Sequence, residues 1–364
     1  MTTTTVGTPD TEPTRRNLVP GIALIVVAIV LLALPQFLSA FWTDRVTGWI
    51  PLAIAALGLN LLTGYNGQIS VGHGALYGIG AYTTALLINE WQWPFLAAIV
   101  ASAVVCFVAG VLVGLPALRI KGLYLALVTL AVATLFPQIL EQFSGTTGGS
   151  AGLGITERAL NSRGVMADRS IQFLPPDLAF LSPDDRHASV QWRYYVFIVI
   201  AAVCFLVVRN LVHSRAGRSI IAIRDNETAA EVSGVNVAAA KVFTFGISAA
   251  LAGIGGSLVA LYLTRLSSGS FTLAISLNFL VAVVIGGTPS IVGPAIGAVF
   301  LGVFTDVVSP ELPENVKSLT PLILGVLLIV LMLVAPGGIV GLSRQFSARI
   351  AGRRNARATV STAP

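Results

Sequence analysis

Charged residues are scarce in this sequence of 364 residues: only 10% are Asp, Glu, Lys or Arg, whereas 55% are hydrophobic. Soluble domains carry roughly 25% charged residues, so the composition excludes an ordinary water-soluble fold. The scarcity is concentrated in long stretches without any charged residue, which run over 17–43, 46–89, 91–118, 122–140, 242–264, 266–305 and 318–343. Each stretch is long enough to cross a bilayer once, and two could cross twice.

Cysteine and histidine are also rare, with 2 and 3 residues respectively. Cys106 and Cys204 fall in apolar surroundings, so we interpret them as small packing residues and expect neither a disulfide nor a metal site. The long uncharged stretches contain one histidine, His73, whereas ion-coupled transporters usually place carboxylates or histidines at membrane depth. The sequence also lacks a G-x-x-x-x-G-K-[ST] phosphate loop. We therefore expect no cofactor, no enzymatic activity and no ATP hydrolysis by this chain itself.

The apolar stretches predict an all-α, polytopic membrane protein. Only helices and closed barrels satisfy their backbone in lipid, and these stretches lack the period of two that barrel strands require. Arg15 and Arg16 precede a first apolar run of about 27 residues, longer than the core of a signal peptide, which we interpret as an uncleaved span. Division at Gly- and Pro-rich breaks predicts about ten transmembrane helices, at 18–41, 46–63, 73–89, 95–117, 122–140, 194–208, 242–264, 271–286, 291–305 and 320–342.

The basic residues predict the orientation, because an excess of Lys and Arg marks cytoplasmic segments. With the N-terminus inside, most of the 22 Lys and Arg residues fall on the cytoplasmic side. We expect a cytoplasmic N-terminal tail (1–17), a transmembrane domain (18–342) and a basic cytoplasmic C-terminal tail (343–364). The domain would contain an extracytoplasmic loop (141–193) and a cytoplasmic loop (209–241). This topology explains the net charge of +6, and no nucleic-acid partner is indicated.

A glycine-rich segment follows the second predicted span and reads TGYNGQISVGHGALYGIGA over 63–81. Irregular backbone at membrane depth is tolerated where it is buried in protein or lines a cavity. One interpretation is a piece of substrate pathway, formed by Asn66, Gly67, Gln68, Ser70, Gly72, His73 and Gly74. The alternative is close helix packing through Gly74 and Gly78, where missing side chains let two backbones approach. The two interpretations are compatible, and for His73 an ordinary buried histidine is preferred to a proton relay.

A second group of breaks interrupts the apolar sequence at 285–298. Pro removes a backbone donor and Gly lowers the cost of a turn. The structural breaks are expected at Gly286, Gly287, Gly293 and Pro294. We prefer a plain turn between two helices and keep a broken helix as the alternative.

The segment 217–236 is expected on the cytoplasmic side and reads GRSIIAIRDNETAAEVSGVN. Asp225 or Asn226 can cap a short helix whose first turn carries Glu227, and Gly234 supplies a left-handed stop about two turns later. Such a helix is too short to be stable alone in water, so it needs a docking surface. We expect an apolar knob facing a partner, made of Ala229, Ala230 and Val232. The alternative is a solvated loop with ordinary basic charges.

These motifs resemble those of the permeases of branched-chain amino-acid ABC importers, in particular their LivM-type subunit. The shared patterns are T-G-Y-x-G-Q-I-S-x-G-x-G-A from Thr63, T-G-G-S-x-G-L from Thr147, G-R-x-x-x-A-I-R-x-N-E-x-A-A-x-x-x-G from Gly217, the turn near Gly286, and P-G-G-I-V-G from Pro336. The resemblance covers residues 45–345 approximately, and the pattern from Gly217 is the most specific.

The resemblance implies a permease subunit in a bacterial plasma membrane, surrounded by lipid. Its implied partners are a second homologous permease (LivH type), two ABC ATPase subunits and an extracytoplasmic substrate-binding protein. The implied substrates are Leu, Ile and Val; urea, short amides or other amino acids are alternatives, and a self-sufficient channel or carrier is a rival class. Coupling to the ATPases is implied for Arg218, Arg224, Glu227, Ala229, Ala230 and Gly234. Thr228 stands where the E-A-A-x-x-x-G motif of ABC importers has Glu, with Glu227 one residue earlier.

Overall fold

The structure of the protein is a computed structural model that describes residues 29–117, 123–160, 166–170, 185–263, 265–317, 319–335 and 337–342. The predicted N-terminal tail (1–17), the start of the first predicted span and the predicted C-terminal tail (343–364) lie outside the described residues. Within these ranges the chain is mostly helical, as the apolar stretches predict.

Residues 29–213 contain seven described helices. The first, α1, is described over 29–37. The others are α2 (Ala40–Asn60), α3 (His73–Trp91), α4 (Phe95–Ala117), α5 (Leu123–Gln142), α6 (Ser144–Thr147) and α7 (Asp185–His213). A π-helical turn, Leu61–Tyr65, prolongs α2.

The second half continues with α8 (Arg215–Asp225), α9 (Glu227–Val232), α10 (Val237–Leu263), α11 (Leu273–Gly286), α12 (Gly293–Val303), α13 (Glu314–Lys317) and α14 (Thr320–Val334). A π-helical turn, Phe304–Val308, prolongs α12. Two short antiparallel strand pairs were not predicted: β1 (Leu153–Gly154) pairs with β4 (Arg265–Leu266), and β2 (Thr156–Leu160) pairs with β3 (Met166–Ser170). These short pairs connect helices and leave the all-α class unchanged.

Eight helices in the described residues are long and apolar enough to cross a membrane, which corrects the predicted number of about ten. They are Ala40–Tyr65, Phe95–Pro116, Tyr124–Gln142, Ser189–His213, Val237–Leu263, Ser268–Gly286, Gly293–Glu311 and Thr320–Leu342. Two predicted spans account for the difference. The span 18–41 starts outside the described residues, which begin at residue 29, and the span 73–89 forms α3, which is long but less apolar. α3 is buried on most sides, so its inner polar side chains, such as His73 and Thr84, contact protein.

The core of the bundle lies around α2, α3 and α10. The membrane-spanning parts of α2 and α10 are each 67% buried, compared with 28% for α4 and α5, 22% for α7 and 12% for α14. α10 packs against α2, α3 and α4. The first group is therefore central, and the second forms the periphery.

Several helices extend beyond the apolar runs, so the connections are shorter than expected. α7 covers Asp185–His213, whereas the predicted span is 194–208. Its polar start is held by protein contacts: the Gln191 side chain donates to the carbonyl of Pro35 over 3.0 Å, and Arg193 forms an ion pair with Asp44. Such contacts stabilise helical turns outside the apolar run, which hydropathy alone does not identify.

Candidate coupling and translocation site

The glycine-rich segment 63–81 forms the end of α2, an irregular connection at 66–72 and the start of α3. Gly67 has a φ of +72°, the left-handed region that favours glycine. Asn66 and Gln68 are 3% and 7% exposed. Neither amide atom of Asn66, nor Oε1 of Gln68, has a hydrogen-bond partner among the described residues. Since buried polar groups are normally paired, these amides are available to water or to a polar ligand.

His73 lies fully buried at the start of α3 and links it to α10. Its Nε2 is 2.7 Å from Ser248 Oγ, and its Nδ1 is 3.2 Å from Ser70 Oγ. Ser248 Oγ in turn donates to the carbonyl of Gly58. That bond uses the Ser248 hydrogen, so Nε2 is assigned as the donor to Ser248 and Nδ1 as the acceptor from Ser70. Both ring nitrogens thus bind neutral hydroxyl groups, as in a structural buried histidine.

Three glycines of this segment sit at close contacts. An added Cβ would lie 2.7 Å from the carbonyl oxygen of Thr129 at Gly72, 2.4 Å from Ser276 Oγ at Gly74, and 2.2 Å from Phe136 Cε1 at Gly78. The backbone N–H of Gly74 also donates to Ser276 Oγ over 2.8 Å. Close packing therefore accounts for glycine at these positions. A role of this segment in the substrate pathway stays a prediction.

The second group of breaks forms a turn between two helices. Gly286 is the last residue of α11, Gly293 is the first of α12, and Pro294 lies in the first turn of α12. A Cβ on Gly286 would lie 1.9 Å from the carbonyl oxygen of Gly293, so the helix ends touch through their backbones. Gly287 has a φ of +99°, and a Cβ there would lie 2.2 Å from the carbonyl oxygen of Gly337.

The two glycine-rich segments meet in the folded chain. The Asn60 side chain, near the end of α2, donates from Nδ2 to the carbonyl of Ser290 over 2.8 Å. A Cβ on Gly64 would lie 3.4 Å from Thr288 Cβ. The π-helical turn after α2 therefore packs against the turn between α11 and α12, although the segments are separated by more than two hundred residues of sequence.

The predicted short helix forms as α9, and both of its ends are capped. Asn226, one of the two candidate caps, accepts a hydrogen bond from the Ala229 N–H at 3.0 Å. Gly234 has a φ of +83°. The N–H of Gly234 donates to the carbonyl of Glu231 at 2.9 Å and that of Val235 to the carbonyl of Ala230 at 3.0 Å. This pair of bonds is the Schellman arrangement that ends a helix at a left-handed glycine.

The expected apolar knob on α9 needs one correction. Val232 is 85% exposed and Ala229 is also exposed, but Ala230 is only 5% exposed. A helix of six residues has to rest one face on protein, and Ala230 lies on that face. Glu227 also points to its own chain, because Oε1 lies 2.9 Å from Lys241 Nζ at the start of α10.

Arg224 connects the coupling segment to the first glycine-rich segment. Its Nη1 donates to the carbonyl of Gly64 over 3.1 Å, while its other nitrogens contact Asp225. A Cβ on Gly67 would lie 3.1 Å from Arg224 Cγ. Arg218 differs, because it is exposed and its guanidinium donates to the carbonyl of His213 at 3.4 Å. No sequence pattern indicates the contact between Arg224 and Gly64.

Residues 44–334 match the family model described as branched-chain amino acid transport system / permease component. The chain belongs to this permease family. It is 32% identical over 328 residues to the high-affinity branched-chain amino acid transport system permease protein LivM of Salmonella typhimurium, covering 88% of this chain and 74% of the relative. It is 32% identical over 331 residues to LivM of Escherichia coli K12, covering 89% and 75%.

The permease also resembles LivH of Salmonella typhimurium, with 24% identity over 298 residues that cover 79% of this chain and 91% of the relative. No solved structure matches the permease. The matched residues include both glycine-rich segments and the whole of α8 and α9. The residues singled out in the sequence thus lie in the part of the chain that the family shares.

The opposite end of the permease holds a cluster of charged side chains. Arg45 Nη1 lies 2.7 Å from Asp306 Oδ1, and Trp49 donates from Nε1 to Asp306 Oδ2 at 2.7 Å. Asp44 pairs with Arg193, whose guanidinium also lies over the ring of Tyr262. The cluster joins α2, α7, α10 and the turn after α12.

Proposed function

We propose that this permease is the LivM-type transmembrane subunit of an ATP-driven importer of branched-chain amino acids. The observation that carries the proposal is the 32% identity to two LivM proteins over most of both chains. The proposed machine contains a second homologous permease, two ABC ATPase subunits and an extracytoplasmic binding protein. The end of the bundle with α8 and α9, together with both tails, would face the cytoplasm of a bacterial cell.

The proposed coupling element is α9 with its two connections to the bundle. Ala229, Glu231 and Val232 are exposed on it and are offered to the ATPase. Motion of α9 would reach α10 through the ion pair of Glu227 with Lys241 and would reach the end of α2 through Arg224. The caps at both ends stabilise the helical form of α9, so we expect it to move as one unit.

The proposed substrate route is formed by neutral polar groups and by a face of α5 that carries exposed polar side chains. Exposed side chains on α4, on α14 and on α7 between Tyr194 and Val208 are apolar wherever the structure describes them. On α5, in contrast, Thr134 and Gln138 are exposed within the apolar helix. Lipid tails offer an amide no hydrogen-bond partner. This edge of α5 would therefore face the second permease or the route between the two permeases.

A neutral route suits a zwitterionic aliphatic substrate. The Asn66 amide can donate to its carboxylate or accept from its ammonium group, and Gln68 Oε1 can accept from the ammonium group, without trapping either charge. None of these atoms has a hydrogen-bond partner among the described residues. Selection among substrates could then be left to the binding protein, and the permease itself would make or break no bond.

Transport by the complete complex in liposomes tests the proposal. We expect leucine, isoleucine and valine to accumulate only when ATP and the binding protein are both present. Urea uptake without leucine uptake would overturn the substrate assignment. Uptake by this permease alone, without ATP, would overturn its role as a dependent subunit.

Disulfide cross-linking tests the position of the second permease. Cys106 and Cys204 are buried, so the background reaction should be low. Gln138→Cys should cross-link to cysteines introduced in the second permease, and Val203→Cys, on the apolar face of α7, should not. Equal cross-linking of both variants would contradict the assignment of the α5 edge.

A further inference from the structure

A groove runs along the surface of the bundle between α4 and α10 and ends against α8; we name it the α4–α10 groove. Its wider part is a cavity of about 630 Å³ at the end that carries α8 and α9. The walls there are apolar side chains of α4 and α10, chiefly Phe107, Val111 and Phe243. Small residues also line the cavity, among them Ala216, Ala239 and Ala240, and so does the segment 234–236 that follows α9.

Beyond Phe107, a second cavity lies along the same two helices toward the middle of the bundle. This second part has a volume of about 340 Å³, and Phe107 lines both parts. Every described residue that lines it is apolar, from Val100 and Ala103 on α4 to Ile254 on α10. The distance along α10 from Ala239 to Ile254 is about 23 Å at 1.5 Å per residue. The hydrocarbon part of one leaflet is about 15 Å thick, and the groove is thus longer than that.

The close contact between α4 and α10 explains the groove. A Cβ on Gly110 would lie 2.4 Å from Ala249 Cβ, and a Cβ on Gly253 would lie 2.6 Å from Cys106 Cβ. Small residues on this line bring the two helix axes together. Phe107 packs onto α10 beside this contact, since a Cβ on Gly246 would lie 2.8 Å from Phe107 Cε2, and space remains on both sides of its ring.

At the α8 end of the groove, the apolar side chains are joined by polar and basic groups. Ser219 lines the cavity, and Arg215 lies one helical turn before it on the same face of α8, with an exposed side chain. The first turn of α10 also borders the cavity, where backbone N–H groups give a partial positive charge. Among the described residues, none that lines either part of the groove is acidic.

We propose that the α4–α10 groove binds an anionic phospholipid, with one acyl chain along α4 and α10 and the phosphate near Arg215 and Ser219. The apolar walls match an acyl chain, and the basic end matches a phosphate that carries negative charge. A soluble ATPase cannot reach the part of the groove between two membrane-spanning helices. The proposal requires that the chain spans a membrane and does not depend on its substrate.

The test compares lipids retained by the complete complex. The complex is purified from bilayers that contain equal amounts of palmitoyl-oleoyl phosphatidylglycerol and phosphatidylcholine, and retained lipid is measured by native mass spectrometry. We expect preferential retention of phosphatidylglycerol, lowered about fivefold by Arg215→Gln and preserved by Arg215→Lys. Arg209→Gln, an exposed arginine outside the groove, serves as the matched control. Equal retention of the two lipids, or equal loss in the control, would overturn the proposal.

Two further measurements separate the groove from other occupants. Ala103→Phe fills the apolar part and should reduce retention of both lipids, whereas Val203→Phe on α7 should not. Glycerol 3-phosphate, the headgroup without chains, should not displace the lipid, and displacement would show a phosphate site without a chain site. Cross-linking of Phe243→Cys to another subunit of the complex would show that protein fills the groove and would overturn the lipid assignment.

Discussion

The guanidinium of Arg224 donates a hydrogen bond to the backbone carbonyl of Gly64, with Nη1 and the oxygen 3.1 Å apart. The two residues are 160 positions apart in the sequence. Arg224 precedes the capped helix α9, and Gly64 precedes the buried amides of Asn66 and Gln68. This bond therefore joins the segment proposed to meet the ATPase to the segment proposed to meet the substrate.

Replacement of Arg224 should uncouple the two segments. Hydrogen bonds that involve a charged group contribute about 1.5–3 kcal/mol, so Arg224→Gln should lower substrate-stimulated ATPase activity by about tenfold or more. Basal ATPase activity and assembly should remain, which ATPase assays and co-purification measure. Arg209→Gln is the control, because Arg209 is exposed at the end of α7. Full stimulation in Arg224→Gln would show that this bond does not transmit the signal.

The left-handed conformation at Gly234 should matter more than the size of the residue. A Cβ at this position meets nothing within 4 Å, whereas its φ is +83°. Gly234→Asn should keep most of the ATPase stimulation, because Asn tolerates the left-handed region. Gly234→Val should lose it, since a β-branched residue is strongly disfavoured there. Similar activity in the two variants would contradict the role of this helix end.

Val232 should contribute to the contact with the ATPase because it is 85% exposed on α9. Val232→Asp would place a charge in an apolar contact, and we expect less ATPase to co-purify with the permease. Thr228→Glu restores the residue of the general motif on the same helix and should be tolerated. If both variants retain the ATPase equally, the contact lies elsewhere.

Gly256 should be required for the packing of α10 on α3. A Cβ there would lie 1.9 Å from the backbone oxygen of Tyr77, which cannot move without the helix. Gly256→Ala should lower the melting temperature of the purified permease, with an overpacking cost of about 1–3 kcal/mol. Gly325→Ala, at an open position of α14, should leave the melting temperature unchanged or raise it. Equal melting temperatures for the two variants would refute the close approach.

Asp306 should stabilise the end of the bundle opposite α9. It accepts hydrogen bonds from both Arg45 and Trp49, so Asp306→Asn leaves a partly buried arginine without its carboxylate. We expect a loss of about 1–3 kcal/mol, measured as a lower melting temperature in detergent. Glu311→Gln changes an exposed carboxylate nearby and should have little effect. A loss of equal size in both would mean that general charge, and not this cluster, is responsible.

Local features of this permease can be predicted from the sequence because side-chain composition and interactions between neighbouring residues determine them. Apolar stretches of sufficient length identify membrane-spanning helices, and the cap at Asn226 and the stop at Gly234 need only neighbouring residues. The turn at Gly286 and Gly293 is of the same kind. The cap, the stop and the turn depend on hydrogen bonds of the backbone within a few positions, and the apolar stretches depend only on side-chain composition.

Tertiary structure alone decided which helices are central and which segments meet. α3 is a core helix because α4 and α10 cover it. A division of the uncharged stretches counts it as a span, although it is less apolar than the eight spans. Ala230 is buried, and Glu227 and Arg224 bind their own chain, because α8 and α9 fold back against α10 and the end of α2. Such contacts join residues far apart in sequence. Their energy comes from the packing of two surfaces against each other, which a short stretch of sequence does not predict.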